Sequence, residues 1–452
     1  MRHKLDEVAT PWHRIPCGFI GNSIQDNFAC MLLRKIFLSV NGGIFFLAKG
    51  GIGNQVEKDK DQAGLTHATI NGGDNKGSSL QGNPKVLGAV KFYGYSGRFI
   101  DLPLIFPDMK LSSALSLCLA IILVSSVVAQ QQKRKPGSPM DHLPSNITVL
   151  TQFGERADFS PDNQWIAFMA KSFGDAMLYD LKTKRITCLT CNVPGAVFLR
   201  VMHLSNGDYI LIGPEKFENI NISRRKDNEL WFLKKGKGSK PLKLGIHMSE
   251  GMAISKKSLK IAFSQLHDHV SEIPEGASRL ILAELDLSDS IPKLVNQKTI
   301  FESPDRNCTL EAQDFYDNDS KLTFTCYEPN GCASVMGIDL KTLAVTNFSQ
   351  KPQTYNEVEG IVPNSQYTLV EADRQCEFLG GTRGSGNIDI WKLKLDGTGK
   401  DFVRVTKFND YEGYKSSNPV VSTDGKYMAF QLANTKDPAG VGYGILLYRF
   451  SK

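Results

Sequence analysis

Glutamate recurs at one position of a repeated segment in this sequence. The segment, a turn followed by a strand, occurs six times in the second half of the chain. Five residues before each anchor stand Glu155, Arg200, Glu250, Glu311, Glu357 and Ser417. Asp and Glu number 47 of 452 residues, so chance would put fewer than one acidic residue in a column of six. Glu359, two residues past Glu357, projects to the same side of an extended strand. Carboxylates gathered in one place repel each other. Some must take a raised pKa, bind a cation, or be neutralised by Arg200 or Arg156. A raised carboxyl beside an ordinary one is what acid/base cleavage of a glycoside requires. One protonates the leaving oxygen, and the other serves as base or nucleophile on the opposite side. Glu250, Glu311, Glu357 and Glu359 are the catalytic candidates. The plain alternative for each is a rim salt bridge or a cap on inner-strand amides.

Further residues could bind the substrate: Glu155, Arg200, His247, Arg374 and Glu371. The stretch 354–384 departs most from the repeat, and Glu371, Asp373, Arg374 and Glu377 directly follow a strand there. An arginine in this acidic, Gly-rich loop, Arg374 or Arg383, could grip a sugar-acid carboxylate. The plain alternative is a solvated loop with internal ion pairs. His247 begins the run HMSEG, three residues before Glu250. A His-plus-carboxylate set could hold manganese or calcium, but a single H-x-x-E spacing is a weak signal. No metal site is assigned, and no cofactor is expected. A G-x-S-x-G nucleophile turn and a phosphate loop are both missing from the sequence.

The elements that must position these residues follow from the repeat. Its copies are DFSPDNQWIAF (158–168), MHLSNGDYILI (202–212), AISKKSLKIAF (253–263), DFYDNDSKLTF (314–324), GIVPNSQYTLV (360–370) and VVSTDGKYMAF (420–430). Turn formers fill the middle, and β-branched or aromatic residues follow. Each copy leads to a third strand, such as AMLYDL (176–181) or GILLYRF (444–450). A fourth strand follows only five of the six copies. The missing one is found at the front of the repeat region, in NITVLT (146–151). This pattern predicts an all-β fold: a six-bladed β-propeller over 142–452, closed by its own N-terminal strand. The glutamate column would then lie around one mouth of the central channel.

The copies FSPDNQWIAF and VSTDGKYMAF resemble the TolB-type propeller repeat, whose consensus is a Ser-Pro-Asp-Gly turn. The resemblance covers all six copies, most strongly the first and last. It implies the fold and leaves the activity open.

Length allows two to four domains at roughly 100–200 residues each, or one large all-β unit. Hydrophobic residues make up 41% and charged residues 22%, a composition that can bury a core. A net charge of +6, evenly spread, gives no case for nucleic acid. Residues 1–108 keep neither helical nor strand periodicity and are expected to be an unstructured or mis-annotated extension. The run MKLSSALSLCLAIILVSSVVAQQQ from Met109 has the three parts of a secretory signal, cut near Ala129. Residues 130–141 read as a linker. Of nine cysteines, six follow the signal. An even number in a secreted chain predicts disulfides. Local loops suggest Cys188–Cys191 and Cys326–Cys332, which leaves Cys308–Cys376. Five sequons (Asn146, Asn221, Asn307, Asn318, Asn347) also follow the signal, as expected of a glycoprotein.

The stretches YNEVEGIVPNSQYTLVEAD, GNIDIWKLKLDG, GYKSSNPVVSTDGKYMAFQLA and AGVGYGILLY resemble the secreted fungal saponin hydrolases and their TolB-like relatives. That resemblance implies cleavage between a glucuronic acid and a triterpene aglycone. It transfers no catalytic residue. The expectation is an extracellular, monomeric glycoside hydrolase acting on a glycosylated small molecule or glycan, with no nucleic-acid partner and no membrane partner after signal removal. One rival is a non-catalytic propeller that binds a protein or glycan ligand. The other is a metal-assisted lyase.

Overall fold

The computed structural model describes residues 133–450, except 364 and 365, and the backbone of three strands nearer the N-terminus. Those three, Thr69–Ile70, Val86–Tyr93 and Phe99–Ile105, form an antiparallel sheet in a compact unit of their own. The expected signal run at 109–129 lies outside the described residues.

Among the described residues from 133 onward there are six four-stranded antiparallel sheets. Their inner strands are Glu155–Phe159, Arg200–His203, Met252–Ile254, Thr309–Tyr316, Asn356–Ile361 and Tyr414–Val421, numbered here as blades 1 to 6. Blade 6 takes its outer strand from the start of the domain. Ile147–Val149 pairs antiparallel with Ile445–Arg449, with Thr148 opposite Leu447. The chain is thus a six-bladed β-propeller closed by its N-terminal strand, the fold that the TolB-type resemblance implies.

The repeat works through its turn. In blade 1 the Ser160 hydroxyl donates to Asp162 Oδ1 at 2.6 Å and accepts from the Trp165 amide at 3.0 Å. In blade 6 the Ser422 hydroxyl donates to Asp424 at 2.7 Å and accepts from the Tyr427 amide at 3.0 Å. The turn needs a left-handed residue, and Asn163 (φ 56°) and Gly425 (φ 70°) supply it. These two turns also clasp each other across the closure, with the Asn163 amide donating to Thr423 Oγ1 at 2.7 Å.

Eight residues beyond the anchors, Phe168, Phe263, Phe324, Val370 and Phe430 are fully buried. They fill apolar clusters between neighbouring blades. The large apolar area these rings remove from water is what joins successive sheets.

Residues around 134–142 dock on the ring. Arg134 donates from Nε to the Asn409 carbonyl at 3.0 Å, and the His142 and Tyr411 rings stack at 5.9 Å. The cysteine pairing differs in part from the expected one. Cys188–Cys191 forms, but Cys308 pairs with Cys326 across 18 residues, so Cys326–Cys332 and Cys308–Cys376 do not form. The reason is register. Leu310 lies opposite Cys326 in adjacent strands, which brings Cys308 to a Cα distance of 4.9 Å from Cys326. Cys376 is a buried thiol pushed up to about 11 by burial.

Candidate functional site

The glutamate column falls at or beside the starts of the inner strands, around one end of the axis. Backbone irregularity then tunes each position. In blades 1, 4, 5 and 6 the inner strand carries one extra residue shortly after the column, directly in blades 1 and 6 and one residue later in blades 4 and 5. Such bulges re-aim side chains at functional places. Here they bring Arg156, Gln313, Glu359 and Asn418 to line a small axial cavity of about 70 Å³, which Arg200 and Asp314 also line. Arg156 and Asn418 take positive φ (54° and 48°) to do so.

One side of the mouth is saturated with arginine. Arg156 Nη2 donates to Glu250 Oε2 at 2.8 Å. Arg224 Nε donates to both Glu250 oxygens at 2.8 and 2.9 Å. Burial pushes the Glu250 carboxyl up, but Arg224 and Arg156 more than offset it and hold the group at about 2. Both arginines rest on one loop of blade 6. Arg224 Nη1 donates to the Ala439 carbonyl at 2.7 Å, and a Cβ at Gly440 would meet Arg156 Nη2 at 2.0 Å. Glu155 is buried next to them. It accepts from the Gly442 amide at 2.9 Å and from the Ser172 hydroxyl, and burial raises its pKa.

On the other side, among the described residues, no arginine or lysine pairs with the carboxyls within 4 Å, and Arg200 and Arg224 act on Glu311 only from farther off. Glu311 is 8% exposed and accepts from Gln313 Nε2 at 3.1 Å. Burial, then the charges of Glu250 and Glu357, push it up to about 8. Its chain lies against Gly251, where a Cβ would be 2.0 Å from Glu311 Cγ, so it sits next to Glu250. Glu357 accepts from Tyr327 Oη at 2.5 Å and from the Tyr355 hydroxyl. It pairs across strands with Glu371, which accepts the Asn418 amide. Burial and the charge of Glu357 push Glu371 up to about 8. Glu359 is raised well above the usual carboxylate range, by burial and then by Glu371 and Glu357. Lys415 is fully buried below them and donates to the Ser385 carbonyl at 2.9 Å.

The structure therefore brings together Glu155, Arg200, Glu250, Glu311, Glu357, Glu359 and Glu371. Arg200 lines the cavity with its Nε buried and without a hydrogen-bond partner. Two predicted residues stand elsewhere. His247 is exposed on the outer strand of blade 2, because its strand ends three residues before Glu250 reaches the mouth. Arg374 lies over the Phe402 ring, 3.6 Å from the centroid, on the flank of blade 5. Arg383 is taken by Asp373 at 3.1 Å.

Sequence reasoning missed Arg224, Tyr327, Tyr355 and Lys415. Arg224 sits on the short helix Ile220–Arg225, capped by Asn219 Oδ1. That helix is an insertion between the second and third strands of blade 2; blade 5 has a shorter helix, Cys376–Leu379, in the same connection, but it carries no arginine. The two tyrosines could have been flagged only as aromatic strand residues.

No family model matches the chain, and no curated protein matches it. Among solved structures it is similar to a putative TolB from Agrobacterium tumefaciens, at 14% identity over 58% of this chain and 79% of that one, with TM-score 0.41. TolB from Acinetobacter baumannii is 13% identical over 64% and 66%, with TM-score 0.35. An oligogalacturonate lyase in complex with manganese is 14% identical over 67% and 79%, with TM-score 0.40. The six blades themselves rest on strand pairing.

Proposed function

We infer that this chain is a secreted glycoside hydrolase acting at the propeller mouth on a glycosylated small molecule of the saponin glucuronide type. One observation carries the reading. Two adjacent carboxyls have opposite surroundings: Glu250 is bonded to Arg156 and Arg224, while Glu311 beside it is buried with only Gln313 as donor. The arginines therefore hold the first at about 2, and burial pushes the second up to about 8. Such a division marks an acid and an ionised partner. Glu311 gives its proton to the leaving oxygen. Glu250 is the fixed negative charge that meets the positive sugar carbon, as nucleophile or as stabiliser. Arg200 offers its guanidinium to a uronate carboxylate. The sugar sits over the mouth, since 70 Å³ of axial cavity holds little more than water. Export is supported by the signal-like run at 109–129 and the two disulfides among the described residues. No helix among the described residues is long and apolar enough to cross a membrane.

The test is turnover. Purified chain incubated with aryl glucuronides and a saponin glucuronide should release glucuronic acid. Glu311→Gln should lower kcat/KM by about 10²–10⁴-fold, the usual contribution of a general acid. An unchanged rate removes Glu311 from the mechanism.

A second reading is a non-catalytic propeller that binds a ligand at the same face. The full engagement of both Glu250 oxygens favours it. Saturable binding of the glycoside without any product across the panel would establish it in place of the first.

A further inference from the structure

Glu357, Glu359 and Glu371 each place one carboxylate oxygen within 4.8 Å of the other two. Their gathering is built into blade 5. Glu357 and Glu371 face each other across adjacent strands, and the bulge between Val358 and Ile361 turns Glu359 toward them. Among the described residues none of the three makes an ion pair within 4 Å. Apart from a hydrogen bond between the Glu359 and Glu371 side chains themselves, their donors are few: two tyrosine hydroxyls on Glu357 and one backbone amide on Glu371. The nearest buried lysine, Lys415, has its Nζ on a backbone carbonyl.

A second observation points to a ligand. Glu359 is 6% exposed, and its Oε1 is buried with no hydrogen-bond partner. Oδ1 of Asn418 is in the same condition, while the amide of that residue is fixed on Glu371. Glu359 and Asn418 line the same axial cavity. Buried oxygens without donors are costly. Leaving an acceptor of this kind unmet is rare in a folded protein, and here two occur beside a triad that Arg200 and Lys415 offset only from beyond ion-pair distance.

The geometry points to a site for one hard divalent cation, of the calcium class, held by Glu357, Glu359 and Glu371 with the Asn418 carbonyl oxygen completing the protein ligands. Every donor is oxygen, the ligand type that hard cations select over zinc or copper. Calcium tolerates irregular oxygen cages and takes its remaining ligands from water, which the axial cavity can supply. The cation would do for this side of the mouth what Arg156 and Arg224 do for Glu250. The inference goes beyond the hydrolase reading and does not rest on it.

Binding is measured without substrate. Chelator-treated full-length protein is titrated with calcium chloride, and separately with manganese chloride, by calorimetry and by thermal unfolding. The expected result is one ion per chain and a rise in Tm on adding it. Glu359→Gln and Glu371→Gln should each weaken binding at least tenfold, and Asn418→Ala several-fold. Glu377→Gln, an exposed acid on the blade 5 loop, should bind as the parent does. No saturable binding of either metal up to millimolar concentration overturns the site. So does binding that both glutamine variants retain in full, provided they fold with the parent's circular dichroism. Failure of the hydrolase reading stays distinguishable, because it is read as missing product in the turnover assay and leaves this titration untouched.

Discussion

The two sides of the propeller mouth hold acidic side chains in opposite ways. On the blade 1–3 side, Glu250 lies between two guanidiniums and keeps its charge even though the group is largely buried. On the blade 4–5 side, Glu311, Glu359 and Glu371 are as buried or more so, yet no arginine or lysine reaches them within 4 Å among the described residues. The lesson is that a column of like residues in a repeat does not make like sites. The same backbone position delivers a fixed anion in one blade and a group that holds its proton in the next. What differs lies outside the repeat: the helix inserted in blade 2, the loop through Ala439 and Gly440, and the tyrosines of blades 4 and 5.

The largest expected effect tests the saturated side. Glu250→Gln leaves Arg156 and Arg224 facing each other without their anion. Breaking a buried pair by removing one partner costs about 3–5 kcal/mol. Urea unfolding should show a loss of this order. If the variant loses under about 1 kcal/mol, Glu250 is a solvated rim residue, and the contrast between the two sides fails.

Next comes the contact between the sides. Gly251 is buried, and any side chain there would strike Glu311 at Cγ. Gly251→Ala should cost about 1–3 kcal/mol, as overpacking does. It should also reduce hydrolysis on the order of a hundredfold, because shifting the acid by an ångström misplaces its proton. Full activity in this variant would show that Glu311 need not stand beside Glu250.

A smaller effect of opposite sign tests the uncompensated side. In calcium-free protein, Glu359 already holds its proton, so Glu359→Gln exchanges one neutral buried group for another and strands no counterion. It should leave stability unchanged or raise it by about 1 kcal/mol, the size of an ordinary net hydrogen-bond effect. A loss as large as that of Glu250→Gln would show that Glu359 has a strong partner.

How much of this was legible in the sequence follows from which residues repeat. The serine-centred turns and the phenylalanines at 168, 263, 324 and 430 recur because each blade solves the same packing problem. Six blades and their closure by residues near 147 could therefore be counted. The glutamate column was visible for the same reason, and the bulges then carried Glu359 and Asn418 to the axis. Arg224 was hidden, because its helix lies outside the repeat, and the helix in the same connection of blade 5, Cys376–Leu379, shares no sequence with it. His247 and Arg374 were misplaced because nearness in sequence to Glu250 or Glu371 says nothing about which strand edge a residue faces. Cys308 found Cys326 through strand register, which a count of cysteines cannot supply.

The two sides should also separate along the pH axis. Glu250 at about 2 and Asp158 at about 2 lie below their unfolded values of roughly 4. Their contribution is present above pH 4 and is lost as pH falls through 2, where the folded form must take up protons. Glu311 at about 8 and Asp314 at about 6 lie above theirs, with burial the main cause in both. Between pH 4 and 8 the folded state then holds protons that the unfolded chain has released, so stability falls as pH rises across that window. In calcium-free protein the urea midpoint should be highest near pH 4–5 and decline on both sides. Glu311→Gln should make the alkaline limb shallower, with Glu371, Glu359 and Asp314 supplying what remains, and should leave the acid limb alone. Glu250→Gln should shrink the acid limb, of which Asp158 keeps a part, and should also ease the alkaline limb, because the Glu250 charge helps to raise Glu311. A midpoint that does not change from pH 5 to 8 in the parent protein would mean that Glu311 ionises like a surface carboxylate, and it would take away the proton that the proposed chemistry needs.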